Sequence, residues 1–262
     1  MINELSIIIP TLNEAEYLPL LLASIGEQTF AGKLQVIVVD GSSTDDTVIR
    51  ARSFSNRIPD LLVLQSKKDI GHQRNVGAQK AKYGYLLFLD ADVILPPTLL
   101  ADIASKIRSD GKFIIGVMHR FQNMSVIDSI FFGIGCVFLA GFLAFRMPVT
   151  NGDFMLTTRE NYDDVEGFKE GVILGEDVDF GRRSIQAGAK YHFYFQPMVI
   201  ASLRRAHKMG RRHLLISWLP AFLRVAKHGP IYPGQGFDDY PFGHYGSEQA
   251  GSSSSSKSSQ IS

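Results

Sequence analysis

The first hundred residues repeat one pattern, a short and strongly apolar run closed by a polar residue, followed by a stretch with helical spacing. The apolar runs are Leu5–Ile9, Val36–Val39, Leu61–Leu64 and Tyr85–Leu89. A strand that is apolar on successive residues has to be covered on both of its faces. Between the runs, Leu18, Leu21, Leu22 and Ile25 recur at helical spacing, a second helix is expected from about Asp45, and Gly71–Lys82 reads as a third. Pro10 is expected to close the first strand, and Asn13 with Glu16 three residues later reads as a capping box for the first helix. Three strand–helix crossovers in succession predict an α/β fold with a mostly parallel central sheet and helices on both faces. Sheets of that kind take ligands at the carboxyl ends of their strands.

The rest of the chain is less regular. Lys112–His119 and Asp153–Thr157 are expected as strands, Asp177–Ala187 as a helix ended by Gly188, and Tyr191–Phe195 and Met198–Ala201 as extended pieces. Ser129–Phe145 has no charged residue over 17 positions, at the short edge of the ~20 a spanning helix needs. A buried helix, a helix lying in a bilayer interface and a re-entrant piece all fit it. Arg211–His228 is basic and amphipathic, with Pro220 as an expected kink. From Gly246 onward the chain is Ser-rich and expected to be disordered. The organisation expected is therefore a catalytic domain over 1–203 with an apolar helical insertion at about 126–147, a basic amphipathic extension over 204–245, and a tail over 246–262.

A net charge of +1 points to no partner, but its distribution is uneven. Between Asp179 and Asp238 there is no acid, while ten Lys or Arg occur. Such a stretch suits phosphates, a nucleic acid or an anionic lipid surface, and also a plain solvated face. Cys136 is the only cysteine, so no intrachain disulfide forms, which fits a reducing compartment. Met1–Pro10 lacks a basic n-region and a cleavage site, so no secretory signal is expected.

The acids fall in telling places. Asp40 closes the second apolar run, and Asp90 and Asp92 flank Ala91 after the fourth. All three are expected on one edge of the sheet, where an Asp-x-Asp offers hard oxygen ligands for Mg²⁺ or Mn²⁺. A turn cap before Pro96-Pro97 is the competing role. Arg74 has the rigid fork of donors to neutralise a phosphate or brace the loop carrying Asp90. Glu176-Asp177 is a second acidic pair, and a carboxylate there could be a general base, with an N-cap role competing for Asp177.

In this order the segments resemble the family-2 glycosyltransferases of the GT-A nucleotide-sugar-binding fold. The resemblance rests on SIIIPTLNEAEYLPLLLASI, on VIVVDGSSTDDT (Val36–Thr47), on GHQRNVGAQKAKYGYLLFLDADV (Gly71–Val93) and on GFKEGVILGEDVDFGRRSIQAG (Gly167–Gly188). It implies that Pro10, Thr11, Asn13, Glu14 and Asp40 line the base and ribose pocket of a nucleoside-diphosphate sugar, with Arg74 by the nucleotide. Asp90 and Asp92 would hold Mn²⁺ or Mg²⁺ with the diphosphate, and Asp177, beside Glu176, would be the base for inverting transfer. Asn151-Gly152-Asp153 resembles a segment on the acceptor side. Beyond Gly188 the resemblance thins: Arg204-Arg205 and Arg211-Arg212 suit either a donor diphosphate or lipid headgroups, and His207 either a metal or plain solvent.

The Q-x-x-R-W signature of processive synthases does not occur, so single transfers are expected. The charge-free segment and the basic helix point to a lipid-linked or glycan acceptor met peripherally or monotopically at the cytoplasmic side of the cell membrane. The same elements could instead pack on the core or pair into a homodimer. No nucleic acid partner is expected. Two other functions compete, a nucleotidyltransferase and a non-catalytic nucleotide-sugar-binding protein. Pro10-Thr11-Leu12-Asn13-Glu14 lacks the glycine and lysine of the former's phosphate loop.

Overall fold

The computed structural model describes residues 2–107, 111–121, 133, 135, 150, 152–201, 224–225 and 227–235. Most of the apolar insertion with Cys136, Asn151, Arg204-Arg205, His207, most of the basic helix with Arg211-Arg212 and Pro220, and the Ser-rich tail lie outside them.

Among the described residues eight strands form one sheet in the order β3-β2-β1-β4-β7-β6-β8-β5. The strands are β1 (Glu4–Thr11), β2 (Lys33–Asp40), β3 (Leu61–Gln65), β4 (Tyr85–Phe88), β5 (Val93–Ile94), β6 (Phe113–Phe121), β7 (Met155–Thr158) and β8 (Lys190–Ala201). The helices are α1 (Leu18–Gly26), α2 (Thr47–Arg52), α3 (Ile70–Lys80), α4 (Leu99–Lys106), α5 (Arg159–Asp164) and α6 (Glu176–Gln186). The first half is as expected: β3, β2, β1 and β4 run parallel. The second half is mixed, because β7 lies antiparallel to both β4 and β6, while β6 and β8 pair in parallel.

Both faces of β1, β2 and β4 are buried, which is why these strands read as unbroken apolar runs. Leu5, Ile7 and Ile9 of β1 and Val36 and Val38 of β2 face a core closed by α1, α2 and α4. Ile8, Ile37 and Val39 face the other core, closed by α3, α5 and α6 through Ala78, Tyr162 and Phe180. Leu18, Leu21, Leu22 and Ile25 are all buried.

Four local expectations are corrected. β1 continues through Pro10 to Thr11. Ile8 O accepts from Leu89 N toward β4, so Pro10, two residues on, faces the same side, where the β4 ladder has already ended at Ile8↔Phe88. Its missing N–H is therefore not needed. The capping box does not form, since Tyr17 occupies the N-cap of α1 without a side-chain bond, the helix begins at Leu18, and Pro19 sits in its first turn. The two late extended pieces are one strand, β8, whose pairing with β6 shifts register between Val117 and His119. Asp153 lies in a turn, and β7 begins only at Met155.

Candidate functional site

Three strand ends and one helix start meet at one edge. Thr11 ends β1 opposite Asp40 of β2, and Asp90 follows β4. Asp40 is fully buried: its Oδ2 accepts from Ser43 N (2.9 Å), and its Oδ1 from Ser43 Oγ and Thr11 Oγ1. The carboxylate thus shapes its own loop. Asn13 sits at φ 55, in the left-handed region, and takes the same loop from the other side. Its Oδ1 accepts from Thr44 N (2.8 Å) and its N–H donates to Ser43 Oγ (2.8 Å). Glu14 N donates to Thr47 Oγ1 at 2.8 Å. Pro10, Thr11, Asn13, Glu14 and Asp40 are therefore brought together as one wall.

Helix α3 ties that wall to the acids. Gly77 lets the helix lie flat on β1, for a Cβ there would stand 2.3 Å from Ile8 Cγ2. One turn earlier, buried Gln73 donates from Nε2 to Thr11 O (2.8 Å) and Val39 O (2.7 Å). Arg74 has no exposed surface. Its Nη1 donates to Glu176 Oε1 (2.8 Å), its Nη2 to Asp90 Oδ1 (3.0 Å), and its guanidinium carbon lies 5.2 Å over the Phe168 ring. Burial opposes its charge, but the carboxylates of Glu176, Asp90 and Asp177 outweigh that and hold its pKa above the ordinary value. Arg74 lies beneath the acids as their shared counter-charge, bracing Asp90 instead of reaching into the crevice. Asn75 completes the helix's role: its Nδ2 donates to Phe168 O (2.9 Å) and its Oδ1 accepts from Phe168 N (2.9 Å).

Asp177 stands in the first turn of α6, whose N-terminus favours negative charge. The N-cap is Gly175 (φ 87), so Asp177 is not the cap. Its Oδ2 accepts from Gly152 N (2.9 Å), its Oδ1 from Val178 N (2.7 Å), and Thr150 Oγ1 donates to its carbonyl (2.7 Å). Burial first, and then the Glu176 carboxylate, push Asp177 up to about 7, against the pull of Arg74. The residue keeps some accessible surface. A part-open carboxylate with a pKa near neutrality is suited to accepting a proton. Asp153, one residue past Gly152, pairs with His119 Nε2 at 3.1 Å. Burial pulls His119 down to about 4, so the ring is neutral near pH 7 and donates to Asp153.

The arrangement thus gathers Arg74, Asp90, Glu176 and Asp177 into one charge cluster, with Asp153 beside it and Asp92 two residues beyond Asp90. Gly152 is hemmed in by that cluster: a Cβ there would stand 2.5 Å from Arg74 Nη2 and 3.0 Å from Asp90 Oδ2. Sequence reasoning missed Gln73, Thr150 and His119. His119 was legible only as the end of an expected strand, and nothing local marks Gln73.

The sequence model for glycosyl transferase family 2 matches residues 6–163 of the chain. The chain belongs to glycosyl transferase family 2. The chain is 43% identical over 89 residues to the PGL/p-HBAD biosynthesis glycosyltransferase of Mycobacterium bovis, covering 33% of this chain and 34% of that protein. It therefore spans about a third of that relative's length. Among solved structures, Staphylococcus aureus TarS in complex with UDP-GlcNAc aligns with a TM-score of 0.61 at 21% identity, over 76% of this chain and 58% of that one. The mannosyltransferase PcManGT from Pyrobaculum calidifontis, in complex with GDP-Man and Mn²⁺, aligns at 0.60 and 21%, over 75% and 56%. These structures share the GT-A fold with this chain.

Among the described residues no group of three or more His, Cys, Asp and Glu is placed to hold a metal ion. The donor set of Asp90 and Asp92 still fits a cation that keeps open positions, because Mg²⁺-type sites commonly use one or two carboxylates and leave the remainder to phosphate oxygens and water. Asp90 gives Oδ1 to Arg74 and has Oδ2 left to offer.

Proposed function

We propose that this glycosyltransferase moves a sugar from a nucleoside-diphosphate sugar to a lipid-linked or glycan acceptor with inversion, Asp177 acting as the general base. The observation that carries the reading is the convergence of Asp90, Glu176 and Asp177 around buried Arg74, with Gly152 N and Val178 N fixing the Asp177 carboxylate. In this reading the acceptor hydroxyl gives its proton to Asp177 while its oxygen attacks the anomeric carbon. The bond from that carbon to the diphosphate oxygen breaks, and the electron pair leaves with the diphosphate. A Mg²⁺ or Mn²⁺ held by Asp92 and Asp90 would offset the charge gathering on that leaving group. The wall formed by Thr11, Asn13, Glu14 and Asp40 would receive the nucleoside. The UDP-GlcNAc and GDP-Man complexes of the two structural neighbours support a nucleotide-sugar donor.

A screen of nucleotide sugars with Mn²⁺, read by thermal shift and by release of nucleoside diphosphate, tests this. One donor should give metal-dependent release that Asp92→Ala and Asp177→Ala abolish. Release indifferent to both substitutions would reject the assignment, and a nucleotide-binding thermal shift without any release, kept in both variants, would favour a binding protein.

The cytoplasmic membrane surface is the proposed setting. Two sequence features support it, the uncharged Ser129–Phe145 and the acid-free basic stretch after Asp179. Within the described residues no helix is long and apolar enough to cross a membrane, and the contact proposed is peripheral or monotopic. A full-length preparation that stays soluble through high salt without detergent, and behaves the same after removal of Arg211–Leu223, would reject this setting.

A further inference from the structure

The short loop that delivers the base is held from behind by a distant part of the chain. Ile173 N donates to Ile231 O (2.7 Å), and Ile231 N donates to Leu174 O (3.0 Å), an antiparallel bridge across more than fifty residues. The next residue, Gly175, is the left-handed N-cap of α6 (φ 87), and Val225 packs directly on it. A Cβ at 175 would stand 2.5 Å from Val225 Cγ1 and 2.7 Å from Cγ2. Val225 and Ile231 are buried, at 1% and 0% exposure, although both belong to the extension beyond the matched family segment. Gly229, between them, is also left-handed (φ 86) and approaches Arg182, which pairs with Asp179 of the same helix.

We propose that Val225 and residues 227–231 act as a strap in which Val225 and Ile231 are positioning residues for Asp177. The strap sets where the backbone of 173–175 lies, and that backbone starts the helix turn from which the Asp177 carboxylate projects. A strand bridge and a stiff β-branched side chain are suited to this, since each admits little movement. The catalytic part of the inference rests on Asp177 being the base, but the mechanical part does not.

The test uses the full chain and four variants: Val225→Ala, the milder Ile231→Val, Gly175→Ala, and Gly175→Ala with Val225→Ala. Cooperative melts first establish that each folds. Hydrogen exchange of amides 173–178 is then followed beside amides of α3 and β4, and nucleoside diphosphate release is measured with UDP-N-acetylglucosamine and GDP-mannose as probe donors. Val225→Ala should speed exchange at 173–178 and leave α3 and β4 as they were. It should also lower kcat by between about tenfold and about a hundredfold with donor KM within about twofold, the signature of a displaced reacting group. Gly175→Ala should lose more, and adding Val225→Ala should restore part of it by clearing room for the new methyl. Unchanged exchange overturns the strap, and faster exchange with unaltered kcat, in an enzyme whose kcat Asp177→Asn does lower, overturns the positioning role. Asp177→Asn, assayed alongside, tests the base itself, so failure of the base assignment is not mistaken for failure of the strap.

Discussion

Replacing Arg74 with Met should destabilise the protein heavily and in a pH-dependent way. The guanidinium has no exposed surface and is bonded to two carboxylates at 2.8 and 3.0 Å, so its removal leaves buried negative charge with no partner. Breaking a buried pair by deleting one member costs about 3–5 kcal/mol. Glu176 retains only 9% of its side-chain surface, but Asp90 retains 22% and can rehydrate, which favours the lower half, about 3–4 kcal/mol. For a chain of this size, at about 2–4 °C per kcal/mol, the melting midpoint should fall by roughly 6–16 °C. Asp177 adds a second signature. Its folded pKa of about 7 lies above the ~3.9 of an unfolded aspartate. The native state therefore holds an extra proton across that window, and stability falls as pH rises through it. Arg74 pulls that pKa down, so without it the window extends upward and the deficit should grow between about pH 6 and about pH 9. Urea melts of parent and variant over that range measure both effects. A variant within about 1 kcal/mol of the parent at neutral pH, or a deficit indifferent to pH, would refute Arg74 as the shared counter-charge. Adding Asp90→Asn and Glu176→Gln should recover much of the stability and none of the activity, because the stranded charges go with their partner.

Other outcomes follow from the same geometry. With Asp177 as base, kcat/KM should climb with pH and level off above about 7, and Asp177→Asn should lower kcat by about 10²–10⁴-fold; a flat profile would oppose the assignment. Asp92→Ala should lose any rise in melting midpoint that Mn²⁺ gives the parent in the presence of UDP, and retention of that rise would place the cation elsewhere. His119→Gln should reduce the loss of stability on acidification from about pH 6.5 to about pH 4, since a buried histidine with a lowered pKa disfavours folding once the unfolded chain can protonate. Gly77→Ala, whose new methyl meets Ile8 Cγ2 at 2.3 Å, should cost about 1–3 kcal/mol by overpacking, read in the same urea melts, and should shift Gln73 and Arg74 with the helix.

What the sequence alone determined was local and periodic. Unbroken apolar runs could only be two-faced strands, so the parallel block β3-β2-β1-β4 and its strand-end acids Asp40 and Asp90 were readable from spacing. Tertiary structure decided everything that depends on which distant atoms meet. The direction of β7 follows from where the chain returns, and Pro10 sits in β1 because the ladder on its side has stopped. The cap of α6 fell to Gly175, since Val225 leaves no space for a side chain there. Most of all, no spacing rule could place one arginine between acids 16 and 102 residues away. A buried charge is tolerated only where its partners converge, and that convergence is a property of the fold.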